Sequence, residues 1–171
     1  MRKFLLSLLP LSLIGCTGIP QGVVPVENFD ERRYLGKWYE IARLDHSFER
    51  GLSHVTAEYE LRGDGGIKVI NRGFSAVKNN WKEAEGKAYF VGSRDKGHLK
   101  VSFFGPFYGS YIVFGLDQEN YQYAFISSYN NSYLWFLSRT PTVSKDVKEV
   151  FINKSKALGF DTDALIFPEH N

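Results

Sequence analysis

Apolar and polar side chains alternate in a series of short segments between residues 38 and 138. In one of them, Val55, Ala57 and Tyr59 alternate with polar neighbours, which is the period of two of a strand with one buried face. The pattern predicts strands at residues 38–43, 53–61, 67–74, 82–90, 98–104, 110–116, 121–127 and 133–138. Segments rich in Gly, Asp and Asn, at 62–66, 93–97 and 117–120, connect several of them closely. We therefore predict an all-β fold, an eight-stranded antiparallel up-and-down β-barrel, or calyx.

The pattern changes after residue 141, where apolar positions follow a helical period. The apolar residues of one helical face are Val147, Val150, Phe151 and Leu158. Ser144 can cap the start of this helix, Asp146 lies in its first turn, and Gly159 follows its end. We expect one C-terminal α-helix packed on the barrel wall. The alternative is a free membrane-binding helix, which its lysines would suit but its acidic residues disfavour.

Two residues bracket the strand series and predict how one end of the barrel closes. Trp38 follows Gly36 in the first segment, and Arg139 comes directly after the last one. A guanidinium at that position can stack on the indole, and the glycine lets the chain enter the first strand tightly. Gly36, Trp38 and Arg139 are therefore the predicted floor of the barrel.

Strand parity also predicts what faces the barrel axis. If Trp38 points inward, Glu40 and Ala42 do so too, while Ile41 and Arg43 point outward. The predicted inward positions hold many small residues: Ala42, Ala57, Gly73, Ala84, Gly86, Ala88, Gly115 and Ala124. A solid core would need larger side chains, so these positions predict an apolar lumen. The alternative is that aromatic side chains, Tyr108, Tyr111 and Trp135 among them, fill the barrel.

Composition and charge narrow the function classes. The formal net charge of +2 falls to zero if Arg2 and Lys3 are removed, so no basic field for nucleic acid is expected. The single cysteine excludes an intramolecular disulfide, and the four histidines are scattered without metal-ligand spacing. The nucleophile-elbow, phosphate-loop and His-Glu-x-x-His motifs do not occur. We expect neither a cofactor nor a metal, and a binding protein rather than an enzyme.

The order of three short motifs resembles the lipocalin family. They are Gly36-Lys37-Trp38 in the first strand, Leu116-Asp117 near the sixth strand, and Arg139 after the eighth. More specifically, the segments at 28–30, 33–43, 48–51, 101–108 and 137–141 are similar to those of bacterial outer-membrane lipocalins. The resemblance implies a calyx that binds an apolar ligand.

The N-terminus is interpreted as a targeting segment rather than as part of the fold. Arg2 and Lys3 precede an apolar stretch at 4–14, and Leu13-Ile14-Gly15-Cys16 fits a bacterial lipobox. We expect a lipoprotein signal peptide at 1–15, a lipidated Cys16 that begins a tether at 16–27, and a barrel domain at 28–171. Thr17 after the cysteine implies, by resemblance to enterobacterial lipoproteins, the periplasmic face of the outer membrane. The alternative for Cys16 is an ordinary buried cysteine.

The leading functional hypothesis is a lipid-anchored protein that binds, stores or transports fatty acids or lysophospholipids. The acyl chain of the bound lipid would occupy the lumen, while the charged head stays at the mouth because burying an unpaired charge is costly. The candidate ligand contacts are Tyr108, Trp135, Ala57, Tyr59, Val69, Asn71, Phe103 and Val113. An aromatic loop at 104–109 and a lid loop at 44–52 are expected at the rim.

Several alternatives stay open from the sequence. One is an envelope interaction protein whose barrel is filled, and another is an enzyme that acts on the bound lipid, with Glu40 and Tyr59 as the best acid/base pair. Glu40 and Asn71 can orient a ligand or can hydrogen-bond each other or a water molecule. A homodimer is possible.

Overall fold

The barrel closes from eight strands that pair in sequence order. A computed structural model describes residues 16–170. Its elements are α1 (Glu31–Tyr34), β1 (Gly36–Arg43), β2 (Leu52–Leu61), β3 (Ile67–Ser75), β4 (Asn80–Phe90), β5 (His98–Phe104), β6 (Phe107–Leu116), β7 (Tyr123–Ser127), β8 (Leu134–Ser138), α2 (Lys145–Ala157) and a short 3-10 helix (Thr162–Ala164). Every neighbouring pair is antiparallel, and β8 pairs with β1. The predicted fold class is confirmed; the predicted signal peptide at 1–15 lies outside the described residues.

The connections define two ends of the barrel. The loops at 62–66, 91–97 and 117–122 lie at one end, which we call the floor, and those at 44–51, 76–79, 105–106 and 128–133 lie at the other, which we call the mouth. At the floor, Trp38 is fully buried and donates its indole N–H to Tyr34 O at 2.8 Å. Gly36 has a φ of +90°, a conformation that favours glycine at this entry into β1.

The barrel ladder is incomplete towards the mouth. β4 pairs with β5 only between Lys87–Phe90 and Ser102–Leu99. The mouth half of β4, residues 80–85, is exposed and pairs only with β3. A slot therefore separates this half of β4 from the hairpin of β5 and β6.

A bulge in β1 overturns the parity expected for two residues, Ala42 and Arg43. The register between β1 and β8 shifts between Glu40 and Ala42. Ala42 and Ile41 consequently pack in the outer core beneath α2, whereas Arg43 is buried opposite Trp135. The expectation of an inward Ala42 and an outward Arg43 was wrong, because alternation does not continue through a bulge.

α2 packs on the outside of the wall, as predicted. Ser144 Oγ accepts from Val147 N at 3.3 Å, and Gly159 has a φ of +83° after the last turn. Phe151 is fully buried against Phe125 and Phe136. Val150 is 52% exposed, so it does not belong to the packed face. Neither α1 nor α2 is long and apolar enough to cross a bilayer.

The segment expected to be a tether packs on the barrel instead. Val23 is buried, and Val26 both donates to Val113 O and accepts from Gly97 N at 2.9 Å. This segment, with its prolines and glycines, runs along β6 on the barrel surface and does not form a free linker. Among the described residues, the part that packs on the barrel therefore includes residues 16–27, ahead of the domain start expected at residue 28.

Candidate ligand-binding site

The barrel contains an apolar cavity that opens at the mouth. It has an inner compartment of about 230 Å³ within the strands and an outer one of about 410 Å³ beside the β4 slot. The two adjoin, and their shared lining residues are Phe48, Glu49, Val55, Asn71 and Phe103. Together they fall within the ~300–1,000 Å³ of typical small-molecule sites. The barrel is therefore not filled by its own side chains.

Most of the predicted contact residues line the inner compartment. They are Ala57, Tyr59, Val69, Asn71, Phe103 and Trp135. Asn71 lies beside Ala57 in the β2–β3 ladder. Its side chain makes no hydrogen bond within residues 16–170, and Glu40 bonds to Arg43, so the alternative in which Glu40 and Asn71 hydrogen-bond each other is not found.

Two predicted contacts lie away from the cavity. Tyr108 follows the outward parity of Ser110 in β6, and its ring lies beside Tyr89 and under the Lys100 ammonium. Val113 points inward but is fully buried below the cavity, where it packs near Gly97. Tyr108 therefore lies outside the cavity lining; its prediction was based on the aromatic loop and not on strand parity.

The small inward residues account for only part of the lumen. Gly73 and Ala84 line the outer compartment, and Ala57 lines the inner one. Over Gly86, however, the Phe103 ring occupies the space that a Cβ would enter, at 2.9 Å. Gly115 faces the Phe125 ring of the outer core. Below the cavity the inner core holds large aromatic side chains, Phe29, Tyr34, Trp38 and Tyr121 among them, so the cavity occupies the upper half of the barrel.

Three tyrosines close the cavity from below. Tyr111 Oη lies 2.7 Å from both Tyr34 Oη and Tyr59 Oη. Burial raises the pKa of each of these phenols, so all three are neutral at physiological pH. The two hydrogen bonds use two of the three O–H donors. One O–H therefore remains that donates to no other member of the triad. The sequence predicted an inward Tyr59 and named Tyr111 only as an aromatic side chain that could fill the barrel. The contacts within the triad were not predictable, because they depend on register.

A charged cluster lies in the cavity wall beneath the lid loop. Arg43 Nη1 donates to Glu40 Oε1 at 2.5 Å, and Nη2 donates to Glu49 O at 3.0 Å. Glu49 Oε2 lies 2.7 Å from His46 Nε2 and accepts from the Trp135 indole N–H at 3.0 Å. The cluster ties the lid loop to β1 and β8, and it places two carboxyl groups on the cavity surface.

The two carboxyl groups of this cluster have opposite pKa shifts. Burial, together with the neighbouring Glu49, raises the pKa of Glu40 well above its ordinary value. Burial would also raise the pKa of Glu49, but the contacts with His46, Trp135 and Arg43 lower it overall. The lowered pKa of Glu49 keeps its carboxylate ionised at neutral pH. Sequence reasoning missed His46 and Glu49 as site residues because a loop has no parity to read.

Within residues 16–170 no group of three or more His, Cys, Asp or Glu side chains is arranged to hold a metal ion. The site is built for contact with apolar atoms and for a few polar ones at its rim and base.

Comparison with known proteins decides the family. The model of the lipocalin-like domain matches residues 29–170. The chain belongs to the lipocalin family. This lipocalin is 63% identical to outer membrane lipoprotein Blc of Vibrio cholerae over 167 residues, 98% of each chain. It is 53% identical to outer membrane lipoprotein Blc of Escherichia coli over 148 residues, which are 86% of this chain and 83% of the relative.

More distant relatives share the fold. Bovine apolipoprotein D is 36% identical over 121 residues, which are 67% of this chain and 63% of the relative. The solved structure of insecticyanin from the tobacco hornworm superposes with a TM-score of 0.71 at 24% identity, covering 90% of this lipocalin and 87% of that chain. Its similarity supports the architecture alone. The high-identity relatives show that this lipocalin is a lipid-anchored protein of the bacterial outer membrane.

Proposed function

We propose that this lipocalin binds, stores or transports a single-chain lipid, a fatty acid or a lysophospholipid, at the periplasmic face of the outer membrane. The observation that carries the proposal is the cavity: an apolar inner compartment, closed below by aromatic rings, with a wider outer compartment at the mouth. The acyl chain would lie in the inner compartment. The head would lie in the outer one, where Arg72, Lys82 and Glu83 supply charges of both signs.

The energetics favour a chain of this kind. Removing about fifteen methylenes from water contributes on the order of 12 kcal/mol at roughly 0.8 kcal/mol each. Association and chain ordering offset part of this gain, so we expect dissociation constants in the micromolar range or below. The unpaired amide of Asn71 and the spare hydroxyl of the tyrosine triad offer polar contacts inside.

The proposed anchor is Cys16, acylated after removal of residues 1–15. Cys16 is exposed, so its side chain is accessible where the acyl groups would be attached. Its carbonyl accepts from Ser110 N at 2.9 Å, which fixes this residue on β6. The same interpretation predicts that the mature chain starts at this residue.

The test is a pair of variants on one strand. Ala57→Phe places a ring in the inner compartment, whereas Glu58→Phe places the same ring on the exposed face of β2. Titration with a fluorescent fatty acid, followed through tryptophan quenching, should show saturable binding for the natural chain and Glu58→Phe, and strongly weakened binding for Ala57→Phe. Equal affinities in all three would contradict binding in the cavity. Native mass spectrometry of the same samples reads co-purified lipid and subunit number.

The enzyme alternative gains no support from the geometry. Glu40 is engaged by Arg43, and Tyr59 is hydrogen-bonded to Tyr111. Neither group is free to exchange a proton with the other, and Glu40 would have to leave an ion pair first. We therefore propose binding rather than catalysis as the role of the cavity.

A further inference from the structure

The mouth of the barrel carries large apolar side chains that face solvent. Three lie beside the cavity opening: Phe48, Phe104 and Phe107 are 57%, 81% and 76% exposed. Val77, at the tip of the β3–β4 turn, is 94% exposed, and Trp81 is 49% exposed. All five belong to the loops and strand ends of the mouth, and we call them the apolar rim. A concentration of exposed apolar groups at one end of a protein marks a contact surface.

The anchor point lies at the same end. Ser110, near the mouth end of β6, donates its backbone N–H to Cys16 O at 2.9 Å and its hydroxyl to Gly18 O at 2.6 Å. From there the chain runs along β6 to the floor, where Phe29 N donates to Asp95 O at 2.7 Å. Because residues 16–29 are packed, no slack remains between the anchor and the barrel. Acyl chains on Cys16 would hold the mouth, and not the floor, at the membrane.

We propose that the apolar rim inserts into the same leaflet that holds the acyl chains of Cys16, so that the cavity opens directly onto the bilayer. The occupant of this surface is the phospholipid of that leaflet. Lys78 and Lys82 flank Val77 and Trp81, and a mixture of cationic and aromatic residues is typical of the membrane interface. The proposal rests on the proposed lipid anchor, and it specifies the orientation that the proposed function leaves open.

This orientation changes how the cavity is loaded. The outer compartment, bounded by β4 and by Phe104 and Phe107, would lie at the level of the lipid head groups. A single-chain lipid could then move from the leaflet into the barrel without crossing water, which removes the cost of exposing its acyl chain.

The first test locates the rim relative to the bilayer. The acylated protein is placed in phosphatidylethanolamine and phosphatidylglycerol vesicles, with an environment-sensitive fluorophore on Val77→Cys, Val150→Cys or Glu119→Cys. These positions lie at the mouth, on the outer face of α2 and at the floor. Cys16 is blocked by its thioether, so the label is selective. We expect a blue shift and quenching by brominated lipids for Val77→Cys alone. Equal signals at the three positions, or shielding of the floor label, would overturn the proposal.

The second test measures loading. Val77 does not line either compartment, so Val77→Glu alters the rim without altering the cavity; Val150→Glu is the matched control. We expect Val77→Glu to slow uptake of a fluorescent lysophospholipid from vesicles by roughly tenfold, the factor given by one buried valine. Unchanged uptake would overturn the proposal.

The two proposals fail in different ways. If monomeric lysophospholipid in solution does not bind, the proposed ligand is wrong, whereas the label at Val77→Cys still reports the orientation. If monomeric lipid binds with equal affinity to both glutamate variants and the label at position 77 stays in water, binding stands and the orientation is wrong.

Discussion

The guanidinium of Arg139 lies 3.9 Å from the centroid of the Trp38 indole, across the closed end of the barrel. It also donates to three carbonyl oxygens: Lys37 O at 2.9 Å, Arg33 O at 2.8 Å and Tyr121 O at 3.3 Å. One side chain thus joins β1, α1 and the loop before β7. Lysine cannot reproduce this contact, because it lacks a planar guanidinium that stacks on an aromatic face while its N–H groups donate to backbone carbonyls.

We expect Arg139→Ala to lower the free energy of unfolding by about 1–3 kcal/mol through lost stacking and packing. Urea denaturation of the natural chain and the variant measures the change. Arg32→Ala, at an exposed arginine of α1, is the control and should have almost no effect. Since the floor lies below the tyrosine triad, lipid affinity should be unchanged. An unaltered unfolding midpoint for Arg139→Ala would refute this role of the floor.

Two adjacent residues of α2 should respond very differently to truncation. Phe151 is fully buried against the barrel wall, so Phe151→Ala should cost about 3–5 kcal/mol. Val150 is half-exposed, and Val150→Ala should stay within about 0.5 kcal/mol, since alanine favours the helix. Thermal unfolding of the two variants checks the difference. Similar losses would mean that α2 packs on the wall through a different face.

The strand order and the floor were predictable because each depends on local signals. A period of two, short turns and a Gly-x-Trp entry specify a meander, and Arg139 follows the last strand directly. The predicted strand ends differ from the observed ones by a few residues at most. These features require no knowledge of which residues meet across the barrel.

The site was less predictable because it depends on register and on loops. The bulge at Ile41 turns Arg43 inward, and this makes the cluster with Glu40 and Glu49 possible. Alternation alone cannot reveal such a shift. The packing of residues 16–27 was missed for a related reason. Prolines and glycines indicate turns, but they do not show whether the segment packs on the barrel.

The tyrosine triad predicts sensitivity to alkaline pH. Burial raises the pKa of Tyr34, Tyr59 and Tyr111, whereas in the unfolded chain a phenol titrates near its ordinary value of about 10. Their contribution is therefore fully present below about pH 10 and is lost as the pH rises towards the folded-state pKa values. Each affected tyrosine adds a slope of up to about 1.4 kcal/mol per pH unit. Urea midpoints at pH 8 to about 11 measure this loss.

A conservative variant identifies the groups responsible for that loss. Tyr34→Phe keeps the ring beside Trp38 but removes one titrating hydroxyl, so the alkaline slope should become shallower. Tyr108→Phe, on the outer surface of β6, should leave the slope unchanged. The same slope in both variants would show that the loss of stability arises elsewhere.

Glu49→Gln should shift ligand preference towards fatty acids. Its lowered pKa keeps a negative charge at the cavity wall, which repels a fatty-acid carboxylate but not a zwitterionic head. Removing that charge should raise the ratio of fatty-acid to lysophosphatidylcholine affinity by roughly threefold to tenfold, the effect of about 1 kcal/mol. Because the ratio compares two ligands on the same variant, a change in the lid loop that alters both affinities equally leaves the ratio unchanged. Glu58→Gln, outside the barrel, is the control, and an equal ratio in the two variants would contradict the prediction.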